Sequence, residues 1–199
     1  MNSRPVSLWN PANILTMARL VMVPAFVWLF LVGTVETRWW ATVVFVVAAL
    51  TDLADGYLAR RYGWITNFGK LADPIADKAL VIAALVLLTW EGSLWWWVAP
   101  VIILRELGIT VLRLFLAKVE VIAASWMGKW KTTTQLGFIT FLLVPWPTFA
   151  GQALVTTMNW VTTVLILVAV ALTLWSGGQY VVAAVQGARS RRRSSVRRT

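Results

Sequence analysis

Residues 52–77 read DLADGYLARRYGWITNFGKLADPIAD and contain every aspartate of the chain. Two of them, Asp52 and Asp55, are three residues apart, and the other two, Asp73 and Asp77, are four apart. On a helix, each spacing puts both carboxylates on one face. About 27 Å of continuous helix would separate Asp55 from Asp73, so we expect a helical hairpin that brings the two pairs together.

The four carboxylates lie between strongly apolar segments, VVFVVAAL before them and KALVIAALVLL after them. Acidic side chains in a membrane helix are costly, and converging carboxylates repel one another unless cations lie between them. Such oxygen ligands suit Mg²⁺ or Mn²⁺, and two ions about 3.5–4 Å apart can stabilise a transferring phosphoryl group. The alternative is ion pairing with nearby cations, which does not explain why every aspartate gathers in one stretch. These cations are Arg60, Arg61, Lys70 and Lys78.

The composition predicts a single-domain, all-α integral membrane protein. Of 199 residues, 59% are hydrophobic and 13% are charged, which leaves too few polar groups to cover a soluble domain. The formal net charge is +10, but six of the eighteen basic residues fall in the last eleven positions. Most others flank apolar segments, so we expect no nucleic-acid partner. The absence of cysteine and histidine excludes disulfides and thiolate or imidazole metal ligands.

Apolar segments flanked by tryptophans and charges predict six transmembrane helices. They cover about Asn13–Val32, Trp39–Arg61, Lys70–Trp90, Val98–Leu116, a fifth segment that ends near Val144, and Thr156–Val185. We therefore place residues 1–186 in one six-helix transmembrane catalytic domain with a short interfacial segment at its start. Residues 187–199 are too polar and charged to pack, and we expect them to form a disordered basic tail.

Basic residues are distributed unequally between the two sides that six spans define. One side carries only Arg38, whereas the other carries Arg4, Arg60, Arg61, Lys70, Lys118, Lys129, Lys131 and the tail. The positive-inside rule therefore puts both termini in the cytoplasm. The aspartates lie toward the same side, so we expect a polar metal-binding cavity open to the cytoplasmic face of the cell membrane.

Polar side chains in the first span form one candidate surface. Asn13, Thr16 and Arg19 are spaced i, i+3 and i+6, which puts them broadly on one face. A functional role for this face is one interpretation. A structural one, in which Arg19 snorkels to the membrane interface, fits the spacing equally well.

The fourth and fifth spans carry further charges. Glu106 can pair with Arg105 or Arg113, which leaves at least one arginine to face a cavity. The run GKWKTTTQ places Lys129 and Lys131 with three threonines at a helix start, where charge and N–H groups can bind phosphate. The positive-inside rule and a threonine cap explain the same run, and the spacing alone favours that explanation.

The central stretch can be written as a pattern of eight specified positions, and at each of them it resembles the signature of the CDP-alcohol phosphotransferases. The pattern is Asp52-x2-Asp55-Gly56-x2-Ala59-Arg60-x8-Gly69-x3-Asp73-x3-Asp77. The resemblance implies a homodimeric integral membrane enzyme of six transmembrane helices. Such an enzyme transfers a phosphatidyl or similar group from a CDP-linked donor to an alcohol and releases CMP.

The resemblance also implies roles for the matched residues. The four aspartates would hold two divalent ions, and Asp77 would in addition be the general base for the acceptor hydroxyl. The CDP moiety would be accommodated by Gly56, Ala59, Arg60 and Gly69, with Arg60 near its phosphates.

Outside the motif, the Asn-Thr-Arg opening, the Arg105-Glu106 pair and the GKWKTTTQ run are similar to those of family members that use CDP-diacylglycerol and glycerol 3-phosphate. The acceptor phosphate would then be bound by Arg105 or Arg113 together with Lys129 or Lys131. Amine acceptors are disfavoured because, outside the motif, Glu120 is the single acid on the cytoplasmic side that is available to bind them. Inositol phosphate and phosphatidylglycerol stay open as acceptors.

A divalent-cation transporter is the alternative from another functional class. Its acidic residues would be expected near the midplane, between repeated halves of the chain. Here they lie toward one surface, and the second half has no matching acidic cluster. The sequence therefore favours the enzyme.

Overall fold

The computed structural model describes the backbone of residues 11–62, 67–116 and 126–196, and the side chains of residues 14–51, 78–111 and 130–179. In these ranges it contains six α-helices, a 3₁₀ turn at Trp146–Thr148 and no β-strand. The helices are α1 (Pro11–Val32), α2 (Val35–Tyr62), α3 (Asn67–Trp90), α4 (Val98–Leu116), α5 (Trp126–Leu143) and α6 (Gln152–Val196). The all-helical fold class predicted from composition is confirmed for this part of the chain.

Short turns reverse the chain after α1 and α3. Gly33 follows α1 with φ 74°, and Gly92 lies just after α3 with φ 85°, a left-handed conformation that glycine adopts without steric cost. Thr34 then caps α2, because its Oγ1 accepts a hydrogen bond from the N–H of Thr37 at 3.1 Å. The Oγ1 of Thr37 in turn accepts from the N–H of Thr34 at 3.1 Å, which satisfies two helix-end donors reciprocally.

Helix α3 occupies the centre of the bundle and contacts α1, α2, α4 and α5, while α6 packs on α4 and α5. The core is apolar and includes a cluster of tilted aromatic rings. The ring of Phe26 lies 6.1 Å from that of Phe30 and 5.8 Å from that of Phe45, measured between centroids. Leu85 and Phe138 are also fully buried. Aromatic pairs at this distance add about 0.5–1.5 kcal/mol each to the burial of their surface.

Arg38 joins four elements at the end of the bundle where α1, α3 and α5 finish, which we name the Arg38 end. Its Nη2 donates to Glu91 Oε2 at 2.7 Å, and its Nε donates to the backbone oxygen of Leu143 at 3.2 Å. Its guanidinium carbon lies 4.0 Å from the centroid of the Phe30 ring, a cation–π contact. The opposite end, where α2 finishes and α3 begins, is named the aspartate end.

Two helices are long and apolar enough to cross a membrane, as judged over the residues with described side chains. They are Ile14–Val32, with mean hydropathy 2.1, and Gln152–Gln179, with mean hydropathy 2.0; Lys78–Trp90 is a shorter apolar segment. Large apolar side chains are strongly exposed on several helices, including Trp28, Trp90, Leu104 and Trp160. Soluble monomers rarely expose apolar surface on this scale, and the combination indicates a membrane protein. Six spans remain a prediction.

Several predicted helix boundaries agree with the structure, and the last one does not. α4 has the predicted bounds, and α1 and α3 end at the predicted residues, Val32 and Trp90. The predicted sixth span ended near Val185, but α6 is helical to Val196, so the disordered tail expected from residue 187 is corrected over residues 187–196. Extending an existing helix requires no new nucleation, and alanine, glutamine and arginine favour helix.

Candidate functional site

The predicted metal ligands lie at matching heights on two neighbouring helices. Asp55 is seven residues before the end of α2 and Asp73 is six residues after the start of α3, so both backbones lie about 10 Å from those ends. Asp52 and Asp77 are each ten residues from the same ends, or about 15 Å. α2 and α3 are in contact, as the predicted hairpin requires. The aspartate side chains lie outside the described residues, and their convergence remains a prediction.

The donor set on these helices has the right chemistry for a divalent cation, since four carboxylates supply hard oxygen ligands. Among the side chains that the structure describes, no group of three or more acidic, histidine or cysteine residues could hold a metal ion. The ligands predicted from the sequence are the aspartates of residues 52–77, whose side chains lie outside the described part.

The predicted CDP-binding residues also have side chains outside the described part. The same is true of two of the predicted phosphate ligands. Their backbones place Gly56, Ala59 and Arg60 on α2, Gly69 on α3, Arg113 on α4 and Lys129 on α5. All six positions lie on helical segments near the aspartate end of the bundle. Their assigned roles remain predictions.

A pocket with a volume of about 70 Å³ and one polar wall lies among helices α1 to α5, beside the turn of α3 that follows Asp77. Its polar wall consists of Arg19, Lys78, Glu106, Lys131, Thr132 and Gln135. The rest of the wall is apolar and comes from α2, α3, α4 and α5. The described part of the wall therefore holds three cations and one carboxylate in a small space with apolar surroundings, which favours an anionic ligand.

Glu106 is bonded to cations from three helices. Its Oε2 accepts from Lys78 Nζ of α3 at 2.9 Å, and its Oε1 accepts from Arg105 Nη1 of α4 at 3.1 Å. Lys131 Nζ of α5 also contacts Oε1. All four side chains are mostly buried, with exposures from 5% to 18%. Buried charges of this kind require partners, and among the described side chains cations outnumber carboxylates in this cluster.

Arg105 is held against α6. Its Nη2 donates to Ser176 Oγ at 2.5 Å, and a Cβ added at Gly177 would lie 3.4 Å from Arg105 Cγ, so the small residue lets the side chain lie close to the helix. The sequence left open whether Glu106 pairs with Arg105 or Arg113, and the structure shows the pair with Arg105. Two of the predicted phosphate ligands have described side chains. Lys131 lines the pocket, whereas Arg105 is not part of its wall and contacts Glu106 instead.

The first span contributes Arg19 to the site, although the spacing of its polar residues alone left the role of Arg19 open. Thr16 and Arg19 are each 1% exposed, and Arg19 lines the pocket. The interpretation in which Arg19 snorkels to the interface is therefore wrong, and the shared face of these residues points into the bundle.

Sequence reasoning did not assign two polar residues to the pocket wall, Lys78 and Gln135, although Gln135 belongs to the GKWKTTTQ run. Lys78 was considered only as a partner of the aspartates, whereas it is bonded to Glu106. The signal for Gln135 was present in the chain, because it lies four residues after Lys131 and therefore on the same face of α5.

Residues 9–175 match the family model described as CDP-alcohol phosphatidyltransferase. The chain belongs to this family. A probable phosphatidylglycerophosphate synthase of Mycobacterium tuberculosis (strain H37Rv) is 43% identical over 180 residues, which make up 89% of this chain and 82% of that protein. The CDP-diacylglycerol–glycerol-3-phosphate 3-phosphatidyltransferase of Escherichia coli (strain K12) is 39% identical over 184 residues, or 88% of this chain and 95% of that protein.

Membership confirms the resemblance found in residues 52–77 and makes this chain a phosphatidyltransferase enzyme. Members of the CDP-alcohol phosphatidyltransferase family generally use divalent metals. That requirement agrees with the carboxylate donor set on α2 and α3.

Proposed function

We propose that this protein transfers the phosphatidyl group of CDP-diacylglycerol to sn-glycerol 3-phosphate, which gives phosphatidylglycerophosphate and CMP. The observation that carries the proposal is the similarity to the 3-phosphatidyltransferase of Escherichia coli, over 88% of this chain and 95% of that protein. A match of this length necessarily includes both the aspartate segment and Lys131. The aligned region therefore spans the position of Lys131 as well as the family motif.

The charge of the pocket supports a phosphorylated acceptor. Among the described side chains, Arg19, Lys78 and Lys131 line the pocket together with one carboxylate, that of Glu106, and charge-assisted hydrogen bonds to phosphate are strong in such surroundings. An ammonium acceptor such as choline or ethanolamine would meet net repulsion there. Lys131 is the proposed ligand of the acceptor phosphate, with Arg105, Arg113 and Lys129 as its proposed partners.

The donor would be bound at the aspartate end. Asp52, Asp55, Asp73 and Asp77 would hold two ions of Mg²⁺ or Mn²⁺, which when bound neutralise charge on the donor pyrophosphate. Around them, Gly56, Ala59 and Gly69 leave room for the CDP moiety, since small residues allow a ligand to approach the backbone. Arg60 would pair with its phosphates.

The proposed reaction is an in-line displacement at the phosphatidyl phosphorus. The carboxylate of Asp77 takes the proton of the acceptor hydroxyl as its oxygen bonds to phosphorus. The bond from phosphorus to the bridging oxygen breaks, and CMP leaves with the electron pair. Because Lys78 is the next residue after Asp77, an acceptor bound in the pocket has its phosphate beside the turn that carries the base. Holding these groups in place supplies much of the rate.

We place the protein in the cell membrane with six spans, and with both termini and the site on the cytoplasmic side. The support is the distribution of basic residues, which leaves Arg38 alone on the other side. Lys131 and the aspartate segment lie on the side that this rule assigns to the cytoplasm. A homodimer is proposed from the resemblance to the family.

The proposal is tested with purified protein, labelled CDP-diacylglycerol and competing acceptors, namely glycerol 3-phosphate, inositol phosphate, phosphatidylglycerol and serine. Lipid product and CMP are both measured. We expect phosphatidylglycerophosphate to dominate, and its formation to stop with a chelator and resume with Mg²⁺ or Mn²⁺. Faster consumption of inositol phosphate would refute the acceptor assignment, and absence of CMP release with every acceptor would refute the reaction.

A further inference from the structure

The arrangement around Glu106 connects two parts of the proposed site. Lys78 is adjacent in sequence to Asp77 on α3, and Lys131 belongs to the pocket wall on α5. Both ammonium groups contact the same carboxylate, Lys78 through Oε2 and Lys131 through Oε1. One side chain of α4 thus links the helix of the proposed base to the helix of the proposed phosphate ligand.

The contacts of Glu106 differ from those of the other described acid with an ion pair, Glu91. Glu91 pairs with Arg38 at the Arg38 end, and its side chain is 40% exposed. Glu106 is 17% exposed, contacts three cations and lines the pocket. An exposed pair contributes little to stability, whereas Glu106 contacts two of the cations that line the pocket, Lys78 and Lys131.

The lysines need such an anchor because of their own chemistry. A lysine has a flexible four-carbon stem, and fixing it in one rotamer is costly in entropy unless a strong contact compensates. Lys78, Arg105 and Lys131 would also repel one another in this space without a carboxylate between them. An ammonium group has three donors, so contact with Glu106 is compatible with donation to a phosphate oxygen as well.

We infer that Glu106 is a positioning residue that holds Lys131 and Lys78 in the pocket wall, so that the acceptor phosphate is bound at a fixed distance from the turn of α3 that carries Asp77. This inference rests on the proposed function. It assigns Glu106 a role in acceptor binding, without contact between its carboxylate and the reacting atoms.

The test compares Glu106→Gln and Glu106→Asp with the wild type, as purified full-length protein with CDP-diacylglycerol and glycerol 3-phosphate. Glu106→Gln removes the charge that holds the cations, and we expect its KM for glycerol 3-phosphate to rise about ten-fold. Its KM for CDP-diacylglycerol should change less than about two-fold, since the donor binds elsewhere. Glu106→Asp keeps the charge on a shorter stem and should recover part of the loss.

Glu91→Gln is the matched control, because it makes the same chemical change to an arginine-paired acid at the opposite end of the bundle. It should leave both KM values unchanged. Equal changes in the two KM values of Glu106→Gln, or unchanged KM values with only a lower Tm, would overturn the positioning role. So would a Glu106→Asp protein no better than Glu106→Gln.

A binding measurement separates this inference from the proposed function. Glycerol 3-phosphate and inorganic phosphate should each raise the Tm of the wild type and of Glu91→Gln, and raise that of Glu106→Gln much less. If the anions stabilise the wild type and Glu91→Gln more than Glu106→Gln, but the wild type forms no phosphatidylglycerophosphate, the proposed function fails and the role of Glu106 in anion binding stands. If neither anion stabilises the wild type, or if both stabilise Glu106→Gln equally well, the inference is wrong.

Discussion

Replacing Lys131 by methionine tests the acceptor site most directly. Methionine has a similar length and keeps most of the packing volume, but it removes one of the three cations of the pocket wall. The residue is 4% exposed, so its ammonium group acts in surroundings where water screens charge weakly. Glu106 keeps Lys78 and Arg105 as partners, and the fold should therefore tolerate the change.

The magnitude follows from the contact that the change removes. A hydrogen bond between a charged donor and a phosphate contributes about 1.5–3 kcal/mol. The KM for glycerol 3-phosphate should accordingly rise about 10–100-fold. The KM for CDP-diacylglycerol should stay within about two-fold of the wild type, because the proposed donor site is formed by α2 and α3.

Initial rates at varied acceptor and saturating donor, and then the reverse, measure the two constants in detergent micelles. The thermal unfolding curve of the same preparation shows whether the variant is folded. A Lys131→Met protein that unfolds normally and loses donor affinity while its acceptor KM is unchanged would refute the assignment of Lys131 to the acceptor phosphate.

Three further changes test other parts of the molecule. Asp77→Asn should abolish CMP release while donor binding, measured by equilibrium dialysis, is largely kept; near wild-type release would disprove its role as base. Arg38→Met should lower the free energy of unfolding by about 2 kcal/mol, since it loses the hydrogen bond from Nε to the backbone oxygen of Leu143 and the contact with Phe30; thermal unfolding should show the loss with both KM values unchanged. Truncation after Gly187 should leave turnover in detergent nearly unchanged, because the described contacts of α6 with Arg105 are made by Ser176 and Gly177, before the truncation, and a severe loss would show that the tail takes part in catalysis.

The helices were predictable because their signals are local. The fourth helix was placed correctly at both Val98 and Leu116, since a tryptophan run and an apolar segment of spanning length define it without reference to other parts of the chain. The family could also be predicted, because its eight specified positions lie within 26 residues of one hairpin.

The contacts between helices were not predictable in the same way. Which partner Glu106 takes depends on how α3, α4 and α5 are rotated about their axes, and neither charge nor spacing in one helix determines that rotation. The same limit applies to Arg19, whose burial requires helices distant in sequence to cover it. The extension of α6 to Val196 was missed for another reason, because a polar composition was taken to exclude helix where an existing helix could simply continue.

The apolar core between the two polar regions has a consequence for the membrane itself. Arg19 and Phe30 are separated by about 16 Å of helix, and Lys131 and Leu143 by about 18 Å. Between them lie the fully buried side chains of Phe26, Leu85 and Phe138. An ion that leaves water for such an apolar layer faces a prohibitive desolvation cost. Through the described part of the bundle, the core therefore acts as an insulator, and the protein can work on charged substrates at one face without dissipating the electrochemical gradient across the bilayer.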